Sequence, residues 1–197
     1  MERSVFKGLI FDMDGTLTVP TLDFAAMREE IGIPDGDLAH AILEMPEPER
    51  SRAWGIIERH ERQALDRLKL QDGCAEFLAE CRRRSIRLGL LTRNAPSIVE
   101  ELCRRFGLTF DAVLTRDFPF IKPHPEPILH ILRQWGLPPH EVLMVGDYVH
   151  DITCGREAGT RTCFFHNPGS QDWGRDADFT VNSLKELAQI VLAGKAR

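Results

Sequence analysis

The chain of 197 residues suffices for one sizeable domain or for a domain with a modest insertion, and 43% of its residues are hydrophobic. Its formal net charge of -5 disfavours nucleic acid as a partner, and no apolar stretch is long enough to span a bilayer. Five cysteines without a C-x-x-C pair are typical of a reducing compartment, and the chain begins without a signal peptide. We therefore expect a cytoplasmic protein without a membrane partner, and the choice between monomer and dimer stays open.

The first predicted element is a strand over residues 5–11, a continuous apolar run of the kind that a sheet buries on both faces. Residues 19–72 then read as helical throughout. The predicted helices there are 21–31, capped by Thr21, then 38–43 and 47–70. We interpret 19–72 as a small all-helical cap domain inserted after the first strand, with linkers at 18–20 and 71–73. An ordinary pair of crossover helices within one domain is the alternative.

Beyond Gly73, short apolar runs alternate with helical patterns, which is typical of βαβ units and a parallel sheet. The predicted strands are 87–92, 112–115, 142–146, 160–165 and 179–181. The predicted helices are 74–84, 96–106, 126–135, 151–158 and 184–192. The pattern predicts an α/β fold, a Rossmann-like parallel sheet with helices on both faces, built from residues 1–18 and 73–197.

Two carboxylates, Asp12 and Asp14, stand where the first strand ends and the chain turns at Gly15. In α/β proteins, sites form at the carboxyl ends of strands. Neighbouring half-buried carboxylates repel each other unless a cation or a proton intervenes, and Mg²⁺ binds one or two carboxylates together with water and phosphate. Because D-x-D is also common in surface turns, this motif alone leaves the metal site open.

A second strand end carries Asp147 after Gly146, with Asp151 one helical turn further on. If the two strands are neighbours, Asp147 projects from the same sheet edge as Asp12. The alternative makes Asp151 a helix-capping acid and Asp147 an exposed turn residue. That arrangement is common at one strand end and improbable at two matching ones.

Two further segments carry less information by themselves. Thr92 ends a third strand before a helix that can begin at Pro96, so its hydroxyl and the free backbone N–H groups could bind an anion or simply cap the helix. Lys122 precedes Pro123 and is a single cation beside a rigid loop. A lone lysine is usually solvated, so Lys122 is a candidate site residue only in combination with the other three segments.

Together the four segments resemble the haloacid dehalogenase superfamily in its phosphatase branch, near phosphoglycolate phosphatase-like members with a short α-helical cap. Residues 12–17 resemble the first motif, Thr92 the second, Lys122 the third and residues 146–151 the fourth, in the family's order. The resemblance covers nearly the whole chain. It implies a Mg²⁺-dependent phosphatase that hydrolyses a small phosphorylated metabolite through an aspartyl-phosphate intermediate.

The resemblance also implies a role for each residue. Asp12 would be the nucleophile, and Asp14 the general acid and base. Asp12, Asp147 and the backbone carbonyl of Asp14 would bind the metal, with Asp151 supporting that shell. The implied phosphate-binding groups are Thr92, Lys122 and the backbone amides of Arg93 and Asn94.

Three questions stay open at this point. A phosphomutase of the same family is one alternative function, and a non-catalytic phosphate-binding or regulatory module is another. Asp14 favours a phosphatase or mutase over a dehalogenase, because a leaving halide needs no proton, and no catalytic position has been replaced. Arg93 could recognise a substrate carboxylate or second phosphate, or it could pair with an acid of the cap or surface.

Overall fold

A computed structural model describes residues 6–192, and within them six parallel strands form one sheet. The strands are β1 (Gly8–Phe11), β2 (Arg87–Leu91), β3 (Ala112–Leu114), β4 (Val142–Gly146), β5 (Arg161–Phe165) and β6 (Phe179–Val181). Their order across the sheet is β3-β2-β1-β4-β5-β6. The strand order reverses at β1, which lies between β2 and β4, and such a switch point is where open α/β sheets form their sites.

The described residues form eight α-helices. The first three follow β1 directly in the chain, and the other five cover the sheet. They are α1 (Phe24–Ile31), α2 (Leu38–Glu44), α3 (Glu49–Ala64), α4 (Cys74–Arg83), α5 (Pro96–Phe106), α6 (Glu126–Trp135), α7 (Val149–Glu157) and α8 (Leu184–Leu192). Leu9 and Phe11 pack into one hydrophobic cluster with α4, α5 and α8, whereas Ile10 packs into a second cluster with α6 and α7. Successive strand residues point to opposite faces, so the apolar run of β1 is buried on both sides. The predicted α/β architecture is confirmed.

Residues 19–72, called the helical insertion below, carry α1, α2 and α3 and have a hydrophobic cluster of their own. That cluster contains Met27, Ile33, Leu38, Ile42, Ala53 and Ile57. The chain leaves and re-enters the sheet layer at one place, because the Val19 N–H donates to the Lys69 carbonyl and the Gln71 N–H to the Leu17 carbonyl, both at 2.9 Å. The insertion is therefore joined to the rest of the chain by two paired linkers just beyond β1.

Several boundaries differ from those predicted. Asp23, not Thr21, caps α1, and its carboxylate accepts from the Ala26 N–H at 3.0 Å. The third helix is shorter than 47–70: it begins after Pro48, and it ends in a 3₁₀ turn at Leu65–Arg67. The backbone becomes extended at Leu68, which lets the following residues pair with the outgoing linker. Residue 5 of the first predicted strand lies outside the described residues, as do residues 1–4 and 193–197 of the predicted core.

Two expectations from composition can be compared directly with the structure. All five cysteines are free thiols, as a reducing compartment implies; four are buried and Cys103 is half-buried. Between residues 6 and 192, the structure contains no helix whose length and apolar character would let it cross a membrane.

The burial of Leu102 predicts a large loss of stability on truncation. Leu102 lies in α5 with none of its surface exposed, whereas Leu43 in α2 is 44% exposed. We expect Leu102→Ala to lower the free energy of unfolding by about 2–5 kcal/mol, because it leaves a cavity in the core. The matched control Leu43→Ala should change it by less than about 0.5 kcal/mol. Urea unfolding of both variants measures the difference, and equal losses would contradict the packing described here.

Candidate active site

Two aspartates meet where the neighbouring strands β1 and β4 end. Phe11 and Val145 are partners in the sheet register, and the Asp12 N–H donates to the Val145 carbonyl at 2.9 Å. Oxygen atoms of Asp12, Asp147 and Asp151 all lie within 4.8 Å of one another. The sequence analysis placed Asp12 and Asp147 at the same sheet edge on the condition that their strands are neighbours. The pairing of β1 with β4 meets that condition.

Lys122 is the cation at the centre of this cluster. Its Nζ lies 2.6 Å from Asp12 Oδ1 and 2.6 Å from Asp151 Oδ1, and the residue is only 4% exposed. Burial lowers the pKa of this ammonium, but the two carboxylates raise it, and the net direction is upward. The ammonium is therefore held in its charged form against Asp12.

Asp151 has two structural partners. One carboxylate oxygen accepts from Lys122, and the other accepts from the backbone N–H of Tyr148 at 3.1 Å, at the start of α7. Asp151 therefore caps α7 through one carboxylate oxygen, as in the helix-capping alternative, and binds Lys122 through the other. Asp147 is half-buried rather than an exposed turn residue.

The side chain of Asn94 binds Asp14, although the sequence analysis had assigned a role only to the backbone amide of Asn94. Asn94 Nδ2 donates to Asp14 Oδ2 at 2.5 Å. Burial, together with the charge of Asp12, raises the pKa of Asp14 to about 7. A carboxyl group whose pKa lies near neutrality can both give and accept a proton, which general acid–base catalysis requires.

The turn after β2 gathers the remaining predicted residues, although not all of them face the carboxylates. Thr92 is 3% exposed, and its Oγ1 accepts from the Asn94 N–H at 3.2 Å, so that amide is used within the turn. Arg93 reaches into the helical insertion, where its Nη1 lies 2.9 Å from Asp37 Oδ2. Its Nη2 donates to the backbone carbonyl of Lys122. This geometry matches the alternative in which Arg93 pairs with an acid of the cap.

An amide pair that the sequence analysis missed supports the Asp147 side of the cluster. Asn167 Nδ2 donates to the Gly15 carbonyl at 2.7 Å and to Asp147 Oδ2 at 3.2 Å, while its Oδ1 accepts from Gln71 Nε2 at 3.1 Å. Asn167 follows β5, so the strand-end rule that found Asp12 could also have found it. Gln71 lies in a linker, and no local signal marked it.

The helical insertion is docked on the core by a buried acid. Glu61 in α3 is 3% exposed and accepts from Arg116 Nη1 at 2.7 and 2.9 Å, and from the Ala95 N–H at 3.4 Å. The Arg116 guanidinium also lies over the Trp54 ring, 5.2 Å from its centroid. In the sequence, Glu61 was visible only as an acid on an otherwise largely apolar stripe.

A cavity of about 400 Å³ separates the insertion from the carboxylates, and Asp12, Asp14 and Asp147 line its lower end. Burial raises the pKa of Asp147, and the neighbouring carboxylates of Asp12 and Asp151 raise it further. A divalent cation would relieve that repulsion. Because carboxylate and carbonyl oxygens are the ligands that Mg²⁺ prefers, these residues fit a magnesium ion.

Comparison with known proteins leads to one family. A family model described as haloacid dehalogenase-like hydrolase matches residues 19–165. A haloacid dehalogenase-like hydrolase domain-containing protein of Arabidopsis thaliana is 37% identical over 208 residues, covering 96% of this chain and 85% of that protein. An N-acetylmuramic acid 6-phosphate phosphatase of Pseudomonas putida is 31% identical over 217 residues, covering 94% of this chain and 96% of its own.

Among solved structures, a predicted phosphoglycolate phosphatase from Haemophilus somnus superimposes with a TM-score of 0.74 at 20% identity. The superposition covers 96% of this chain and 99% of that one. At this identity the likeness concerns the fold. The family resemblance that the four motifs predicted, and the fold that it implied, are both confirmed.

Gly15 offers a test of how tightly this loop packs on Asp147. A Cβ at Gly15, where φ is +77°, would overlap Asp147 Oδ2, whereas a Cβ at Gly32, where φ is +86°, would meet nothing within 4 Å. Gly32→Ala should lower the free energy of unfolding by about 1 kcal/mol through backbone strain alone. Gly15→Ala should lower it by about 1–3 kcal/mol more, because Asp147 must move. Equal losses in urea unfolding would show that Asp147 is not confined by this loop.

Proposed function

The chain belongs to the haloacid dehalogenase-like hydrolase family, and we propose that it is a Mg²⁺-dependent phosphatase that hydrolyses a small phosphorylated metabolite through an aspartyl-phosphate. The observation that carries the proposal is the position of Asp12. Its carboxylate lies at the floor of the cavity, 2.6 Å from the buried ammonium of Lys122 and beside a second carboxyl group, that of Asp14.

In this proposal Mg²⁺ is held by the side chains of Asp12 and Asp147 and by the backbone carbonyl of Asp14. When bound, the ion screens the negative charge of the phosphate ester. Asp151 supports this shell from behind, through Lys122 and the start of α7. Asn167 keeps Asp147 oriented towards the Gly15 turn.

The chain's own residues then divide the reaction into two steps. A carboxylate oxygen of Asp12 attacks phosphorus and forms a new P–O bond, while the ester P–O bond breaks and Asp14 gives its proton to the leaving alkoxide. In the second step Asp14 takes a proton from water as that water attacks phosphorus. The bond from phosphorus to Asp12 breaks, so inorganic phosphate leaves and the carboxylate is restored. Lys122 offsets charge on the phosphoryl oxygens, and the neutral Thr92 hydroxyl donates a hydrogen bond to one of them.

We further propose that residues 19–72 are a cap domain over a core of residues 1–18 and 73–197. The buried contact of Glu61 with Arg116 and the contact of Asp37 with Arg93 hold the insertion over the carboxylates. With the insertion in this position, bulk water is kept from the phosphoryl group, which strengthens the electrostatic interactions at the site.

The first prediction of this proposal concerns Asp12. Asp12→Asn should lower phosphate release from para-nitrophenyl phosphate by at least about 10³-fold, because an amide is a poor nucleophile. Chelation of divalent ions should abolish wild-type release, and Mg²⁺ should restore it. The matched control is Asp23→Asn, at the cap of α1, where asparagine is an equally good cap and activity should be unchanged.

Substantial turnover by Asp12→Asn would contradict the assignment of the nucleophile. Equal wild-type rates with and without Mg²⁺ would instead contradict the metal dependence and leave the nucleophile standing.

A second prediction separates the two steps. With para-nitrophenyl phosphate, the leaving group needs no proton, so Asp14→Asn should still be phosphorylated, whereas the water step should slow by about 10²–10⁴-fold. Phosphorylated enzyme should therefore accumulate in the variant and be absent from the wild type, as measured by mass spectrometry after an acid quench. A variant that turns over without accumulating phosphoenzyme would show that Asp14 is not the base of the second step.

A further inference from the structure

The upper part of the cavity is built from apolar side chains of the helical insertion. Its wall, called the leaving-group pocket below, includes Leu22, Phe24, Met27, Leu38, Trp54 and Ile57. If the phosphoryl group lies on Asp12 at the cavity floor, as the proposed function requires, the rest of the substrate extends into this pocket. The volume of about 400 Å³ is in the range of sites that enclose a small organic group.

Two large side chains at the rim of the cavity are exposed to solvent. Phe24 of α1 is 55% exposed and Tyr148 at the start of α7 is 46% exposed, and both line the cavity. The Tyr148 ring also packs edge-on against Trp173, with centroids 5.5 Å apart. Exposed aromatic surface that continues into an apolar cavity is typical of a binding site for an apolar group.

The charged groups that border the leaving-group pocket already have partners within the protein. Arg93 is bound to Asp37, which also lies 3.2 Å from His150 Nδ1, and Arg28 Nη2 donates to the Gly36 carbonyl at 2.5 Å. Glu61 is held by the Arg116 guanidinium. Arg93 is thus neutralised by Asp37 and Glu61 by Arg116, whereas Arg28 donates to the backbone carbonyls of Ile33 and Gly36.

This pairing acts against a second negative charge on the substrate. A carboxylate or another phosphate could reach Arg93 only by displacing Asp37, and it would then lie beside that carboxylate in a poorly hydrated cavity. Like charges brought together in such surroundings are strongly unfavourable. The cavity therefore offers apolar contact to the leaving group, and its Arg93 guanidinium is already paired with Asp37.

We propose, on the basis of the proposed phosphatase function, that the substrate is a phosphate monoester whose leaving group is uncharged and largely apolar. A phosphorylated acid or a bisphosphate is then a poor substrate. This specificity differs from that implied by the names of the muramic acid phosphate phosphatase and the phosphoglycolate phosphatase to which the chain is similar.

The test compares ethyl, butyl and hexyl phosphate with phosphoglycolate and glucose 6-phosphate, each assayed by phosphate release. The three alcohols have similar acidity, so differences in kcat/KM among them report contact with the pocket rather than leaving-group reactivity. Each buried methylene group contributes about a four-fold gain in affinity. We expect kcat/KM to rise by at least about ten-fold from ethyl to hexyl phosphate, with phosphoglycolate below ethyl phosphate.

Two substitutions of an apolar residue by serine, one in the cavity wall and one outside it, test which residues form the pocket. Phe24→Ser should lower the ratio of hexyl to ethyl kcat/KM by about five-fold, because it removes the aromatic wall. Leu43→Ser changes another exposed apolar residue of the insertion, one that does not line the cavity, so the ratio should stay as in the wild type. Equal effects of the two variants would overturn the assignment of the pocket.

Asp37→Asn tests the electrostatic half of the inference. Asparagine keeps the cap of α2 but removes the charge that pairs with Arg93. We expect kcat/KM for phosphoglycolate to rise by about ten-fold in this variant. An unchanged or lower value would show that Asp37 does not exclude anionic leaving groups.

The result also separates this inference from the proposed function. Acetyl phosphate serves here as a substrate for phosphatase activity as such. Its turnover together with equal kcat/KM values for the three alkyl phosphates, or a wild-type preference for phosphoglycolate, would contradict the apolar leaving group and leave the proposed phosphatase function standing. If acetyl phosphate and every ester were inert with Mg²⁺ present, the proposed function and this inference would both be wrong.

Discussion

One buried ammonium surrounded by four carboxyl groups is the constraint on which this site depends. Lys122 lies 2.6 Å from both Asp12 and Asp151, while Asp14 and Asp147 complete a cluster whose negative charge exceeds that of the single cation. Such an excess cannot stay desolvated, and burial raises the pKa values of Asp12, Asp14 and Asp147, so these groups either hold protons or share a further cation. A cluster with this imbalance suits the floor of a cavity, where a cation and a phosphate can enter together.

The strand ends were the part of the site that sequence could predict. An apolar run that stops at an aspartate is a local signal, and the alternation of strands and helices predicts that parallel strands present their carboxyl ends at one edge. Asp12 and Asp147 follow from these two arguments. Their adjacency does not, because it depends on the pairing of β1 with β4, which joins segments more than 130 residues apart. The resemblance to a family supplied that information.

The supporting contacts could not be predicted, because they join residues whose neighbours in sequence carry no pattern. Asn167 and Gly15 are 152 positions apart, and Arg93 and Asp37 are 56 apart. The contact of Arg93 with Asp37 depends on how the helical insertion packs on the core, and that of Asn167 with Gly15 depends on the order of the strands. Apolar periodicity determines neither. The same limit explains the boundary of α1: Thr21 and Asp23 are both competent caps, and only the folded chain selects Asp23. Contacts between side chains that are far apart in the sequence therefore cannot be predicted from local sequence patterns.

In the proposed function, the contact between Arg93 and Asp37 links substrate choice to the position of the insertion. The pair connects the turn after β2 to the start of α2, so it helps to hold the insertion over the carboxylates, and it also occupies the Arg93 guanidinium. An anionic leaving group that took Arg93 for itself would weaken that attachment while the reaction needs it. A neutral, apolar leaving group makes no such demand, since it binds to the walls of the closed cavity and leaves the ion pair in place. In this proposal, the position of the insertion and the selection against charge therefore depend on the same two side chains.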